Sequence, residues 1–360
     1  MPDRLMIRNA AAQLRATFEA AGALPVETAV LQPAEVLLDL YGEDIRGRAY
    51  VTSDALRGEQ MLRPDFTVPV VQMHMRHGAT PARYTYAGEV FRRQEDNPDR
   101  ANEYLQVGYE IFDTQNPAEA DAEVFARIFE ALGDLPVRAA TGDMGVLTAA
   151  VAALQTTDKR RAALMRHIWR PRRFRALLDR FAGRTPPPAS RAVLLAQDDP
   201  FEGAVQMGLR SRAEVEARIA ALREDAAAAP ISEGDVLVID SILDVRETLP
   251  HALERLRDIT VDMPAITAAV DRIEARMEAL SRRGIDVENL DFEASYGRSQ
   301  MEYYDGFVFG FYAEARPDLP AVASGGRYDA LTRVLGQGAE IPAVGGVIRP
   351  GLMIELGGGA

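Results

Sequence analysis

Two stretches, residues 83–91 and 104–112, constrain what this chain can fold into more than any other part of it. In the first, apolar and aromatic residues fall at about every second position, the period of a half-buried strand. It runs straight into Arg92, Arg93, Gln94, Glu95 and Asp96, and Asn97, Pro98 and Asp99 follow as a turn-forming cluster. In the second, Gln106, Gly108 and Glu110 fall on one face and Leu105, Val107, Tyr109 and Ile111 on the other. The pair reads as a hairpin in which an arginine pair at one end faces a Gln/Glu row. Such a surface suits an anion at one end and an ammonium group at the other. The plainer alternative is a hairpin with one solvated polar face.

At 360 residues the chain is long enough for two domains or for one large domain with an insertion. Its 47% apolar and 26% charged residues are those of an ordinary globular protein. No run reaches the roughly 18 apolar residues of a membrane-spanning helix. The N-terminal residues 1–23 mix charges into a helical spacing, unlike a signal peptide. The absence of cysteine excludes disulfides, thiolate zinc sites and cysteine nucleophiles, and suits a cytoplasmic location. The four histidines are His74, His77, His167 and His251. His74 and His77 stand three apart on one helix, but no HExxH pattern or third ligand accompanies them, so they read as helix surface and no metal is expected. A net charge of −13 argues against general binding to nucleic acid or a membrane surface, while leaving room for a local basic patch.

Residues 4–21 fit an amphipathic helix with Leu5, Ile7, Ala11, Leu14, Thr17 and Phe18 near one face, stopped by Gly22. Next come a strand over 26–31, a helix over 33–41 opened by Pro33, a strand over 48–53 and a helix over 67–77. Residues 116–132 form a helix whose acidic start suits the positive end of the helix dipole, and 137–141 a strand. Composition shifts near residue 145. Residues 145–285 are rich in Ala, Leu and Arg with helical periodicity, including helices over 213–228 and 261–283 and a strand over 236–239. Residues 159–184 hold ten Lys/Arg against the single acid Asp179. Strand signals return from 287, with strands over 307–312 and 321–324, and with 343–348 and 352–356 closing the chain. No phosphate-binding loop, dinucleotide fingerprint, nucleophile elbow, kinase signature or long repeat occurs.

Several separated segments resemble the class II histidyl-tRNA synthetase core. Leu62-Arg63-Pro64-Asp65-Phe66-Thr67 is similar to that family's Leu-Arg-Pro-Glu-x-Thr element. Phe91-Arg92-Arg93 and Gln106-Val107-Gly108-Tyr109-Glu110 resemble motif 2 and its following strand. Tyr303-Tyr304-Asp305-Gly306, Val308-Phe309 and Gly325-Gly326-Arg327-Tyr328-Asp329 resemble the histidine-specific segment, and Ala343-Val344-Gly345-Gly346 the start of motif 3. Their shared order is more specific than any one match. The resemblance implies an α+β fold, an antiparallel sheet flanked by helices, with the core at 1–145 and 290–360. A mostly helical insertion would occupy 146–289, and no anticodon-binding domain would follow. It also implies a histidine-binding pocket: Glu110 and Gln106 on the ligand's amino group, Asp65 (one methylene shorter than the usual Glu) and Thr67 lining it, and Tyr303 and Tyr304 on the imidazole.

The adenylation machinery departs from the family's pattern. Motif 2 keeps Arg92, but the acidic residue expected two places on is Gln94. The family's catalytic arginine falls at Ser299, one residue from Arg298, and the motif 3 arginine at Leu352, three from Arg349. Loss of one such cation typically removes roughly 10²–10³-fold of rate. A synthetase-like core with these changes resembles the regulatory subunits of ATP phosphoribosyltransferase, paralogues of the synthetase. That implies no catalytic residue, no metal and no cofactor, with Arg92 left in a vestigial nucleotide site. The implied partners are the short-form catalytic subunit and histidine as effector, on a homodimer within a hetero-oligomer, with no membrane and no nucleic acid. The alternative is an active enzyme forming an aminoacyl-adenylate. A third reading makes residues 159–184 an RNA clamp, against a solvated helix face or a partner surface.

Overall fold

The computed structural model describes residues 3–35, 45, 47–94, 100–201, 208–298 and 302–357. Among the described residues the strands are β1 (Leu24–Pro25), β2 (Leu31–Pro33), β3 (Val51–Asp54), β4 (Gly58–Leu62), β5 (Ala82–Phe91), β6 (Glu103–Phe112), β7 (Val137–Asp143), β8 (Arg246–Thr248), β9 (Asp291–Glu293), β10 (Phe307–Ala313), β11 (Ala323–Arg327) and β12 (Ala343–Ile348). Nine of them make one sheet in the order β1-β5-β6-β12-β11-β10-β7-β9-β8, and β2, β4 and β3 make a second, small one. All pairings are antiparallel except β1 with β5 and β7 with β9.

The hairpin of the first two stretches is the β5–β6 pair, in register from Ala82 opposite Phe112 to Phe91 opposite Glu103. Alternation assigns its two faces. Tyr109 stacks on Phe18 of the Arg4–Ala20 helix with ring centroids 5.1 Å apart. On the same face Phe309 of β10 meets Phe125 of the Pro117–Leu132 helix at 5.4 Å. Asn116 caps that helix by accepting the Glu119 N–H. The opposite face, bearing Gln106, Gly108 and Glu110, is also covered, so the solvated alternative fails: Gln106 and Glu110 are each 1% exposed. Phe66 stacks on Tyr86 at 4.3 Å and His74 on Phe112 at 3.9 Å, which lays residues 66–77 over it.

Several expectations need correction. Residues 26–30 are not a strand but run between the two sheets, and only Leu31 of the expected strand belongs to one, β2: the Val26 N–H bonds the Thr85 carbonyl, and the Arg63 Nη1 bonds that of Thr28. The 48–53 strand begins at Val51. Residues 236–239 lie in the Glu233–Leu243 helix; Val236, Ile239 and Ile242 are buried at a helical spacing behind a Ser232 cap. Pro264 divides the 261–283 helix into Leu249–Asp262, a 3₁₀ turn and Thr267–Arg282. The closing 352–356 segment belongs to the helix Pro350–Glu355, opened by its proline. His74 is not surface: it is buried, 3.0 Å from the Tyr84 hydroxyl, and desolvation lowers its pKa to about 4. Leu5 is exposed, and its helix buries Ala10, Ala11, Leu14 and Phe18. Most of the helix expected over 33–41, and the turn at Asn97, Pro98 and Asp99, lie outside the described residues.

Candidate functional site

The site lies on the Gln106/Gly108/Glu110 face and depends on two glycines. Tyr86 sits opposite Gly108, and Gly345 of β12 opposite Glu110. A Cβ on Gly108 would fall 2.0 Å from the Tyr86 ring, and one on Gly345 1.4 Å from Glu110 Oε2. Only backbone lets the ring and the carboxylate lie flat against the sheet there. Glu110 Oε1 then accepts from the Tyr86 hydroxyl at 2.7 Å and from Thr67 Oγ1 at 3.2 Å, and Oε2 accepts from the Tyr328 hydroxyl. Burial raises the carboxyl to about pKa 7; the three hydroxyl donors oppose that rise and nearby Asp65 adds to it.

Around this carboxylate the structure gathers Asp65, Thr67, Gln106, Tyr303 and Tyr304, all buried. The Tyr303 hydroxyl donates to Asp65 Oδ2 at 3.3 Å, and the Tyr303 and Tyr304 rings meet edge-on at 4.9 Å. Tyr304 lies against Gly326 of β11. Gln106 differs from its neighbours: among the described residues its buried Oε1 has no hydrogen-bond partner. Buried polar atoms rarely remain so, and this oxygen is free to accept a donor.

The arginine pair of the hairpin does not act as a pair. Arg92 turns inward, its Nε donating to the Pro64 carbonyl at 2.6 Å and its Nη2 standing 3.8 Å from Asp65 Oδ2. Arg93 turns away to the Ala49 carbonyl and lies over the Tyr50 ring. Beyond Arg92 opens a cavity of about 970 Å³ whose walls include Arg48, Arg100, Tyr104, Arg349 and Leu352. Burial would raise the Tyr104 hydroxyl, but Arg92, Arg349 and Arg48 outweigh it and hold the pKa below the usual tyrosine value. Ser299 lies outside the described residues. Arg298 points away from the pocket into the helical region, bonding the Ile168 carbonyl at 2.8 Å and lying 4.8 Å from the centre of the Phe174 ring. In residues 159–184, the possible clamp, Lys159 pairs with Glu224, Arg160 with Asp225, Arg161 with Asp158, Arg170 with Glu302, Arg175 with Asp240 and Arg184 with Asp179.

Tyr86 was not singled out in the sequence, and Tyr328 only as part of a motif, yet both bond Glu110. Parity held the signal for Tyr86, since Tyr84, Tyr86 and Gly88 share a strand face; which residues they oppose depends on register. Asp305 was likewise unassigned. Its two oxygens accept the backbone N–H groups of Asp329 and Ala330, which fixes the turn bearing Tyr328; burial and Asp329 raise its pKa to about 7.

The family model described as "Histidyl-tRNA synthetase" matches residues 2–248 and 211–350. An ATP phosphoribosyltransferase regulatory subunit of Brucella ovis is 32% identical over 358 residues, covering 92% of this chain and 93% of its own. A Brucella anthropi protein of the same description is 33% identical over 92% of this chain and 93% of its own. Among solved structures, an ATP phosphoribosyltransferase regulatory subunit/histidyl-tRNA synthetase from Bacillus halodurans superposes with a TM-score of 0.69 at 21% identity, over 99% of this chain and 81% of that one. A histidyl-tRNA synthetase from Nostoc sp. PCC 7120 gives 0.63 at 17% identity, over 98% and 71%. The two solved structures establish the class II synthetase-like α+β fold. By the extent of these matches, the chain belongs to the ATP phosphoribosyltransferase regulatory subunit family, within the histidyl-tRNA synthetase-like group.

Proposed function

We propose that this chain is a non-catalytic regulatory subunit of ATP phosphoribosyltransferase, acting at the first step of histidine biosynthesis in the cytoplasm. It assembles with a short-form catalytic subunit as a homodimer within a hetero-oligomer, binds free histidine and conveys feedback inhibition. Residues 1–145 and 290–360 act as the synthetase-like core and 146–289 as the helical insertion. One observation supports the pocket above all: the unpartnered buried Gln106 Oε1, four residues along the strand from Glu110. An α-ammonium group between them satisfies the one and neutralises the other. Asp65, Thr67, Tyr303 and Tyr304 then enclose the rest of the ligand. Histidine regulates by binding one state of the complex better than another, which is all that linkage requires.

Co-purification with the catalytic subunit, followed by phosphoribosyl transfer assays with and without histidine, tests this reading. Activity should depend on the added chain and fall with histidine; a partner indifferent to the chain overturns it. The arginine-walled cavity favours a second reading, an adenylate-forming synthetase. Histidine-dependent ATP–pyrophosphate exchange by the isolated chain would establish that reading in place of the first.

The glycine at 345 supplies a sharper test of the pocket. In Gly345→Ala the added methyl must displace the Glu110 carboxylate, which three hydroxyls hold in place. Histidine affinity should drop at least tenfold by calorimetry, with a loss of about 1–3 kcal/mol in urea unfolding, as for an overpacked core.

A further inference from the structure

Residues 167–170 join the Asp158–Arg166 and Pro171–Phe181 helices, far in sequence from the pocket. Three contacts nevertheless fasten this turn to the segment that carries the pocket tyrosines. Trp169 Nε1 donates to the Tyr304 carbonyl at 3.4 Å, Arg170 Nη2 stands 3.3 Å from Glu302 Oε1, and Arg298 Nε donates to the Ile168 carbonyl at 2.8 Å. Residues 298 and 302 precede the two pocket tyrosines and 304 is one of them, so the helical region is fastened to the stretch that leads into this pocket wall. Two of the three contacts are long for their kind. The third is incompletely satisfied: Arg298 Nη2 is buried and has no acceptor among the described residues, and a buried guanidinium donor without one costs free energy. A fastening so loosely made at one end and under-satisfied at the other has a second arrangement within reach.

We propose that the 167–170 turn is a latch through which occupancy of the Gln106/Glu110 pocket is passed to the helical region. This rests on the pocket reading above and adds to it a route. A ligand packed against Tyr303 and Tyr304 shifts their backbone so that the latch tightens, and the Tyr304 carbonyl carries the shift to Trp169. By reciprocity, a latch that responds to the ligand must also contribute to the ligand's affinity.

Trp169 is the chain's single tryptophan, so it reports on its own contact. L-Histidine is titrated into the full chain, following heat and tryptophan emission in the same samples. Emission should change saturably with the calorimetric Kd. In Glu302→Gln and Arg170→Gln the Kd should rise roughly fivefold or more, the lower end of ordinary coupling between sites, and the emission change should shrink. Binding heat with silent emission overturns the latch alone, as do variants that bind within about twofold of the parent. Absence of binding heat overturns the pocket reading, and the latch falls with it.

Discussion

Replacing Glu110 by glutamine should weaken histidine binding by about 2–5 kcal/mol while stabilising the ligand-free chain at pH 8. The two effects share one cause. Glu110 is buried, with a folded-state pKa of about 7 against an ordinary value of 4.5. A carboxyl whose pKa is raised by folding is bound by more protons in the folded chain between those two values. Stability therefore falls as pH rises from about 4.5 to about 7 and stays reduced above that. The shift corresponds to a penalty on the order of 3 kcal/mol at pH 8. Glutamine keeps the shape and an acceptor for Tyr86 and Thr67, and removes the buried charge. Urea unfolding at pH 5 and pH 8 should show the parent losing more stability across that interval than Glu110→Gln. Part of the slope should survive in the variant, because Asp305 is also raised to about 7. Ligand binding moves the other way: an ammonium group left without its carboxylate typically loses about 2–5 kcal/mol, roughly 30-fold to several thousand-fold. Equal pH slopes for the two proteins, or undiminished histidine binding by Glu110→Gln, would contradict the account.

The hairpin carrying Glu110 was legible because Gln106, Gly108 and Glu110 keep one face polar or small against Leu105, Val107, Tyr109 and Ile111, so the period of two shows although both faces are buried. Its chemistry was legible only in part. The Gln/Glu row could be seen along one strand, but the tyrosines bonded to the carboxylate come from β5 and from the residue after β11. Their meeting depends on register and on glycines at 108 and 345. Apparent strand signals misled where β-branched residues happened to cluster: Val236 and Val238 stand two apart, as on a strand face, but the buried residues Val236, Ile239 and Ile242 follow a helical spacing behind the Ser232 cap. His74 looked like surface because the ring that stacks on it, Phe112, is on another element.

The buried ion network was invisible for the same reason, and it gives the largest expected effect on stability. Arg276, on the Thr267–Arg282 helix, bonds Asp121 Oδ2 at 3.1 Å and Asp143 Oδ2 at 2.7 Å, with all three side chains almost wholly buried. Arg327 holds the other oxygen of Asp121 at 2.7 Å and reaches Asp329 at 3.0 Å. Asp143 meanwhile caps the Met144–Ala153 helix through the Gly145 N–H. A buried pair adds little net stability over an apolar replacement of the whole set, but removing one partner strands the other's charge. Arg276→Met should therefore lose about 3–5 kcal/mol in urea unfolding. Adding Asp143→Asn should recover part of it, since asparagine caps a helix as well as aspartate does and carries no charge to strand. A single variant within about 1 kcal/mol of the parent would mean that water or relaxation reaches these carboxylates. A double variant weaker than the single would mean that the cap, not the charge, dominates at Asp143.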